Sequence, residues 1–145
     1  MLGKCLCGEV AFEITGELSN FYQCHCSECR KVTGSASNTG FLVATADFHW
    51  RHGEQHVTQF VKDSGYNSCF CSHCGSALPN PVKSGEHYWV PAGSLEEETH
   101  RKIAAHLHIG SKASWAAISD TGKQFAEMPD LATLIKILEL GAWKG

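Results

Sequence analysis

The chain has 145 residues, 43% of them hydrophobic and 19% charged, with a formal net charge of −3. That length and composition suit one globular domain with a sizeable core and exclude a disordered chain. The mixed, slightly acidic charge argues against broad electrostatic binding to nucleic acid, and no apolar run approaches the roughly 20 residues that a membrane helix needs.

The opening, Met1-Leu2-Gly3-Lys4-Cys5, carries no apolar stretch of the kind a secretory leader has, so a secretory signal is not expected. Residues Glu9–Thr15 alternate, with Val10, Phe12 and Ile14 on one face and Glu9 and Glu13 on the other, which predicts a half-buried strand ended by Gly16. Phe41–Val43 predicts another strand. Phe48–His52 and Gln55–Val61 flank Gly53-Glu54 and predict a hairpin. Asp63-Ser64-Gly65 predicts a turn, after which Tyr66–Phe70 leads into a cysteine-rich stretch, and His87–Val90 and Ile103–Ile109 predict two further strands. In the last of these, Ala104 and Ala105 blur the alternation. Leu131, Leu134, Ile135 and Leu138 fall at helical spacing, so the chain is expected to close on one helix that starts at Pro129-Asp130 and stops at Gly141. The expectation is a mainly β domain with a C-terminal helix. The domain proper covers residues 1–129, and residues 130–145 form a helical extension of it.

Eight cysteines fall in three knots: Cys5-Leu6-Cys7, Cys24-His25-Cys26-Ser27-Glu28-Cys29 and Cys69-Phe70-Cys71-Ser72-His73-Cys74. Sulfurs one or two residues apart can converge on one small cation, and zinc is the usual occupant of clustered thiolates. Cys5 and Cys7 with Cys71 and Cys74 supply four ligands, which close a tetrahedral shell and predict a structural zinc. Cys24, Cys26 and Cys29 supply three, which leaves one position open for chemistry. The bland alternative for the middle knot is a second closed site with Cys69 or a histidine as fourth ligand. Cys69 and Cys71 share a face of their strand, so Cys69 is a candidate for either metal. CxC and CxxC spacing suits metal better than disulfides, and thiols held by metal point to a reducing, cytoplasmic compartment.

Nine histidines are many for this length. His25 sits inside the CxC loop and reads as an orienting residue, because the side chain between two ligands points away from the metal. His73 inside the CxxC reads as solvent-facing. His106 and His108 alternate with apolar neighbours and are candidates for one face near a site, although each alone reads better as part of a polar sheet face. His49, His52 and His56 read as exposed strand residues.

The run from Cys24 to Gly34, Cys-His-Cys-Ser-Glu-Cys-Arg-Lys-Val-Thr-Gly, resembles the signature of the glutathione-dependent formaldehyde-activating enzyme family, which also includes the centromere protein V type domains. Four further stretches resemble the same family: Gly3–Val10 its opening, Phe70–Ser76 its second knuckle, Ala92–Leu95 a strand-end turn, and His108–Trp115 a late motif ending in Trp. The match as a whole runs from Gly3 to about Pro129. Two features depart from the pattern, namely Cys69 and the length of the tail after Pro129.

The resemblance implies a β-tent fold of short, mostly antiparallel sheets pinned by zinc knuckles. It implies a structural zinc at Cys5, Cys7, Cys71 and Cys74 and a labile, catalytic zinc at Cys24, Cys26 and Cys29, hence two Zn2+ per chain. It further implies a carbon–sulfur lyase activity that joins glutathione to formaldehyde as S-hydroxymethylglutathione, or the reverse, with no nucleic-acid or membrane partner. Arg30, Lys112 and Trp115 are then candidates to bind the thiol substrate, the two cations through its carboxylates. Lys31 reads better as a solvated charge, Trp89 as core, and Trp115 equally as pocket wall or core. The competing classes are a non-catalytic zinc-binding interaction module and a redox sensor whose middle knot releases zinc on oxidation.

Overall fold

The structure, a computed structural model, describes residues 1–139. In chain order its elements are β1 (Leu2–Lys4), β2 (Ala11–Ile14), β3 (Phe21–Cys24), α1 (Ser27–Thr33), β4 (Asn38–Ala44), β5 (Phe48–His52), β6 (Val57–Val61) and β7 (Asn67–Cys71). They continue with β8 (Ala77–Leu78), β9 (Asn80–Pro81), β10 (His87–Pro91), β11 (Ile103–Leu107), β12 (Lys123–Gln124) and α2 (Leu131–Leu138). The fold is mainly β with a C-terminal helix, as the patterning predicts. The chain divides into two compact units, Met1–Glu17 with Leu42–Thr99, and Leu18–Phe41 with His100 onward.

In the first unit, β2 is the centre of an antiparallel sheet in the order β1-β2-β5. The alternation read from the sequence sets its faces: Val10, Phe12 and Ile14 are buried, and Glu13 meets Arg51 of β5 in an ion pair of 2.8 Å. Phe12 stacks on Phe48 with ring centroids 5.6 Å apart, and Phe48 stacks on Tyr88 at 4.1 Å, so aromatic surface fills this core. A second antiparallel sheet runs β6-β7-β8, and β9 pairs with β10. Below the second sheet Cys5, Val10, Cys69, Cys71 and Leu78 form one buried cluster, with Trp50, Val57 and Cys74 packed against it.

The predicted hairpin of Phe48–His52 with Gln55–Val61 does not form. β5 pairs with β2, whereas β6 pairs with β7 from Val57↔Cys71 to Val61↔Asn67. Between them Glu54–His56 make one turn of 3-10 helix, which redirects the chain before β6 begins. The true hairpin is β6–β7, closed by the predicted turn at Asp63-Ser64-Gly65, where the amide of Gly65 donates to Lys62 O.

In the second unit the strands run β12-β11-β3-β4. β3 and β4 are antiparallel, but β11 pairs in parallel with both β3 and β12. A strand enclosed in this way is covered on both faces, and Ala104, Ala105, His106 and Leu107 are all buried. That is the reason the alternation blurs there. The helix α2 packs on β11 through Leu134 and Leu138, and the amide of Asn20 donates to Leu138 O at 2.9 Å. Asp130 is its N-cap residue, as expected, and Glu139 its C-cap. Gly141, expected as the stop, lies outside the described residues. Among the described residues no helix is long and apolar enough to cross a membrane.

Candidate metal centres

Four sulfurs meet in the first unit. Cys5 and Cys7 lie on a tight turn after β1, held by Cys5 N–H to Val10 O at 3.0 Å and Gly8 N–H to Cys5 O at 3.1 Å. Cys71 ends β7, and Cys74 follows on a loop closed by Gly75 N–H to Cys71 O and by Cys71 N–H to Ser76 O. Ser76 joins the two turns. Its hydroxyl accepts from the amide of Leu6 at 3.0 Å and lies 3.2 Å from Cys74 Sγ. The ligand atoms of Cys5, Cys7, Cys71 and Cys74 all lie within 4.8 Å of one another. Cys5 Sγ is 3.5 Å from Cys7 Sγ, and Cys7 Sγ is 3.8 Å from Cys71 Sγ. Tetrahedral thiolates about 2.3 Å from a zinc ion stand about 3.8 Å apart, so the donor set fits that ion.

Electrostatics at the quartet favours a cation. The Ser76 hydroxyl and amide hold Cys74 low, at about 5. For Cys7 the Glu9 amide lowers the pKa, yet burial and the thiols of Cys5, Cys74 and Cys71 outweigh it and push it up to about 12. The sulfurs share hydrogen bonds that lower Cys5 and Cys74 while raising Cys7, and a bound cation would favour the ionised form of all four.

The second unit holds Cys24, Cys26 and Cys29, again with all ligand atoms within 4.8 Å. Here the local structure is a strand running into a helix. Cys24 ends β3, and Cys26 is the N-cap residue of α1, its sulfur accepting the amide of Cys29 at 3.3 Å. The helix ends at Gly34, whose φ of 63° is the left-handed conformation that glycine adopts without strain, and its amide donates to Arg30 O. The sequence reading expected no helix here. The helix has local signals, Glu28 in the first turn and Gly34 after the last, but at 7 residues it is too short to display an apolar period. The Cys29 thiol, with burial next, pushes the Cys24 pKa above its ordinary value, and burial chiefly raises Cys26. The neutral thiol is therefore favoured at Cys24 and Cys26. Among the described residues this set includes no fourth ligand.

All eight cysteines are free. Cys69 belongs to neither set. It lies in the buried cluster with Val10 and Leu78, and burial raises its pKa. Its shared strand face with Cys71 points it into the apolar core.

His25 is buried, as an orienting residue should be, and its Nε2 lies 3.2 Å from His106 Nδ1. His106 Nε2 lies 2.9 Å from Thr121 O. A carbonyl only accepts, so His106 Nε2–H donates to Thr121, and where His106 is neutral its Nδ1 accepts from His25 Nε2–H. Burial, and then the neighbouring His106, lower the His25 pKa, and Lys112 adds to the shift. The paired imidazoles thus hold the peptide between Cys24 and Cys26, aided by His25 N–H to Leu107 O at 2.9 Å. His108 does not share this face. The strand ends at Leu107, and His108 has φ 55°.

The three expected substrate-binding residues also lie in the second unit. Arg30 is half-buried in the last turn of α1, and its Nε has no hydrogen-bond partner among the described residues. Lys112 is exposed, with Nζ donating to Ala116 O at 3.2 Å, and its charge is felt at His25. Trp115 is 73% exposed, which overturns the core reading of that ring. Trp89, expected in the core, is half-buried on β10.

A crystal structure of a Rhodobacter sphaeroides protein is similar, with a TM-score of 0.57 and 25% identity, over 69% of this chain and 92% of that one. No curated protein matches the chain. The family described as glutathione-dependent formaldehyde-activating enzyme matches residues 1–113, which include every cysteine of both clusters, and the chain belongs to that family.

Proposed function

We propose that the protein is a carbon–sulfur lyase-like enzyme that adds a thiol, glutathione, to a small aldehyde, formaldehyde, or reverses that addition. The observation that carries this reading is the three-sulfur set of Cys24, Cys26 and Cys29, which among the described residues has no fourth ligand. On this reading Cys5, Cys7, Cys71 and Cys74 hold a structural Zn2+, and Cys24, Cys26 and Cys29 hold a second. On the same reading the segment after Pro129 belongs to the same domain, which the packing of α2 on β11 supports. Free thiols held by metal suit the cytoplasm.

When bound at the three sulfurs, zinc supplies a positive charge and an open position that favour the ionised form of an incoming thiol. The protein's own groups prepare that position. The Cys29 amide orients Cys26, and the His25–His106–Thr121 chain holds the loop in one conformation. The guanidinium of Arg30 and the exposed cation of Lys112 suit the carboxylates of glutathione. The exposed ring of Trp115 offers apolar cover to the bound tripeptide. In the reaction the glutathione sulfur forms a bond to the carbonyl carbon, the carbonyl π pair moves to oxygen, and that oxygen takes up the proton lost from the thiol. Arg30 or a nearby histidine would stabilise the charge that develops on it.

The test is exchange NMR with glutathione and labelled formaldehyde, with and without catalytic amounts of the zinc-loaded protein. Acceleration that disappears in Cys26→Ser is expected. Unchanged turnover in that variant sinks the mechanism. No acceleration by the wild type, with two zinc ions per chain, favours a non-catalytic binding module.

A further inference from the structure

We infer that the first unit carries another cation site, formed by Glu9, His56 and His73, separate from both cysteine clusters. One ligand atom from each residue lies within 4.8 Å of the others. His73 Nε2 is 3.2 Å from His56 Nδ1, and the two rings meet nearly at right angles, 86°, with centroids 4.5 Å apart. Two imidazole nitrogens on one ion, each about 2.0–2.1 Å from it, stand about 2.9–3.4 Å apart for bond angles between 90° and tetrahedral. The observed separation lies in that range. Two imidazoles and one carboxylate suit a borderline divalent cation such as Zn2+, and the remaining positions would be filled by water. Partial exposure of the three side chains leaves the ion an entry path.

The three ligands come from distant parts of the chain, and backbone contacts hold each in place. Gly53 approaches the backbone of Glu9 so closely that a Cβ there would fall 1.8 Å from Glu9 O, and its φ of 79° is one that glycine adopts freely. From Gly53 the single 3-10 turn begins, with His56 N–H donating to Gly53 O at 2.8 Å. His56 O in turn accepts from the amide of Ser72 at 2.9 Å, one residue before His73. Glu9, His56 and His73 are thus linked through Gly53 and Ser72. The side chains are positioned before any ion arrives, which reduces the ordering an ion must impose.

The same 3.2 Å contact also fits a plain N–H···N hydrogen bond, and the experiment separates the two. Zn2+ is titrated into full-length protein already loaded at its cysteine sites, with calorimetry for stoichiometry and imidazole 15N spectra for location. One further equivalent is expected, with selective shifts of His56 and His73. Outer-sphere changes alone cost metal sites about 10–100-fold in affinity, so removing a ligand in His56→Ala or His73→Ala should weaken this equivalent by at least about tenfold. Glu9→Gln should weaken it less, and His49→Ala should leave it unchanged. Unmoved His56 and His73 signals, or wild-type affinity in His73→Ala, overturn the site and leave the hydrogen bond as the whole explanation.

Discussion

The two cysteine clusters share a ligand type and differ in how the chain delivers it. The quartet draws its sulfurs from two turns 64 residues apart in sequence at Cys7 and Cys71, and two of its members, Cys5 and Cys71, sit in the apolar core of the first unit. The triplet comes from six consecutive residues at one strand-to-helix junction, and Cys24 and Cys26 remain partly exposed. A cation on the first set closes a long loop and adds its binding energy to folding. A cation on the second ties together a turn that backbone hydrogen bonds already shape. On the proposed reading, the quartet would serve stability and the triplet would stay free for exchange and chemistry.

The strongest test of this contrast removes a ligand from the quartet. Cys71→Ser is expected to unfold the first unit at room temperature. Structural zinc in small peptides contributes about 10–16 kcal/mol, comparable with the whole net stability of a domain at about 5–15 kcal/mol. Circular dichroism and near-ultraviolet spectra read the loss, and a native-like spectrum for this variant would end the distinction between the clusters. The matching change in the triplet, Cys26→Ser, should leave the fold intact, with Tm within about 5 °C of wild type by the usual scaling for a chain of this size, while adduct formation falls to the background rate.

Two smaller effects sharpen the comparison. His106→Leu removes the acceptor of His25 and leaves a buried imidazole N–H without a partner. The expected loss is about 1–3 kcal/mol, read by denaturant unfolding, with the quartet's metal retained. Cys69→Ala should cost about 1 kcal/mol through lost packing and leave the metal content of both clusters unchanged by elemental analysis. Loss of one zinc in that variant would make Cys69 a ligand and close a site taken here as open.

The parts of the fold legible in the sequence are those with a short-range pattern. The faces of β2 follow from strict alternation at Val10, Phe12 and Ile14, and α2 from the spacing of Leu131, Leu134, Ile135 and Leu138. The candidate site was legible for the same reason, since CxC and CxxC spacings restrict where sulfurs can point whatever the distant chain does. The assignment of strands to partners was not legible. A glycine between two apolar runs is the ordinary mark of a hairpin, yet Gly53 serves a close approach to Glu9 and sends β5 and β6 to different sheets. The parallel pairings of β11 likewise depend on contacts with Phe21–Cys24, about eighty residues earlier in the chain.

By itself, then, the sequence determined a mainly β chain with a terminal helix, two sulfur clusters of four and three, and membership of a family, because each rests on residues near one another along the chain. Tertiary structure alone decided that Cys69 faces the core, that His25 and His106 form one hydrogen-bonded chain, and that Glu9, His56 and His73 converge. These are encounters between segments distant in sequence. Local periodicity carries no information about them, because it records which face a side chain takes and not what that face will meet.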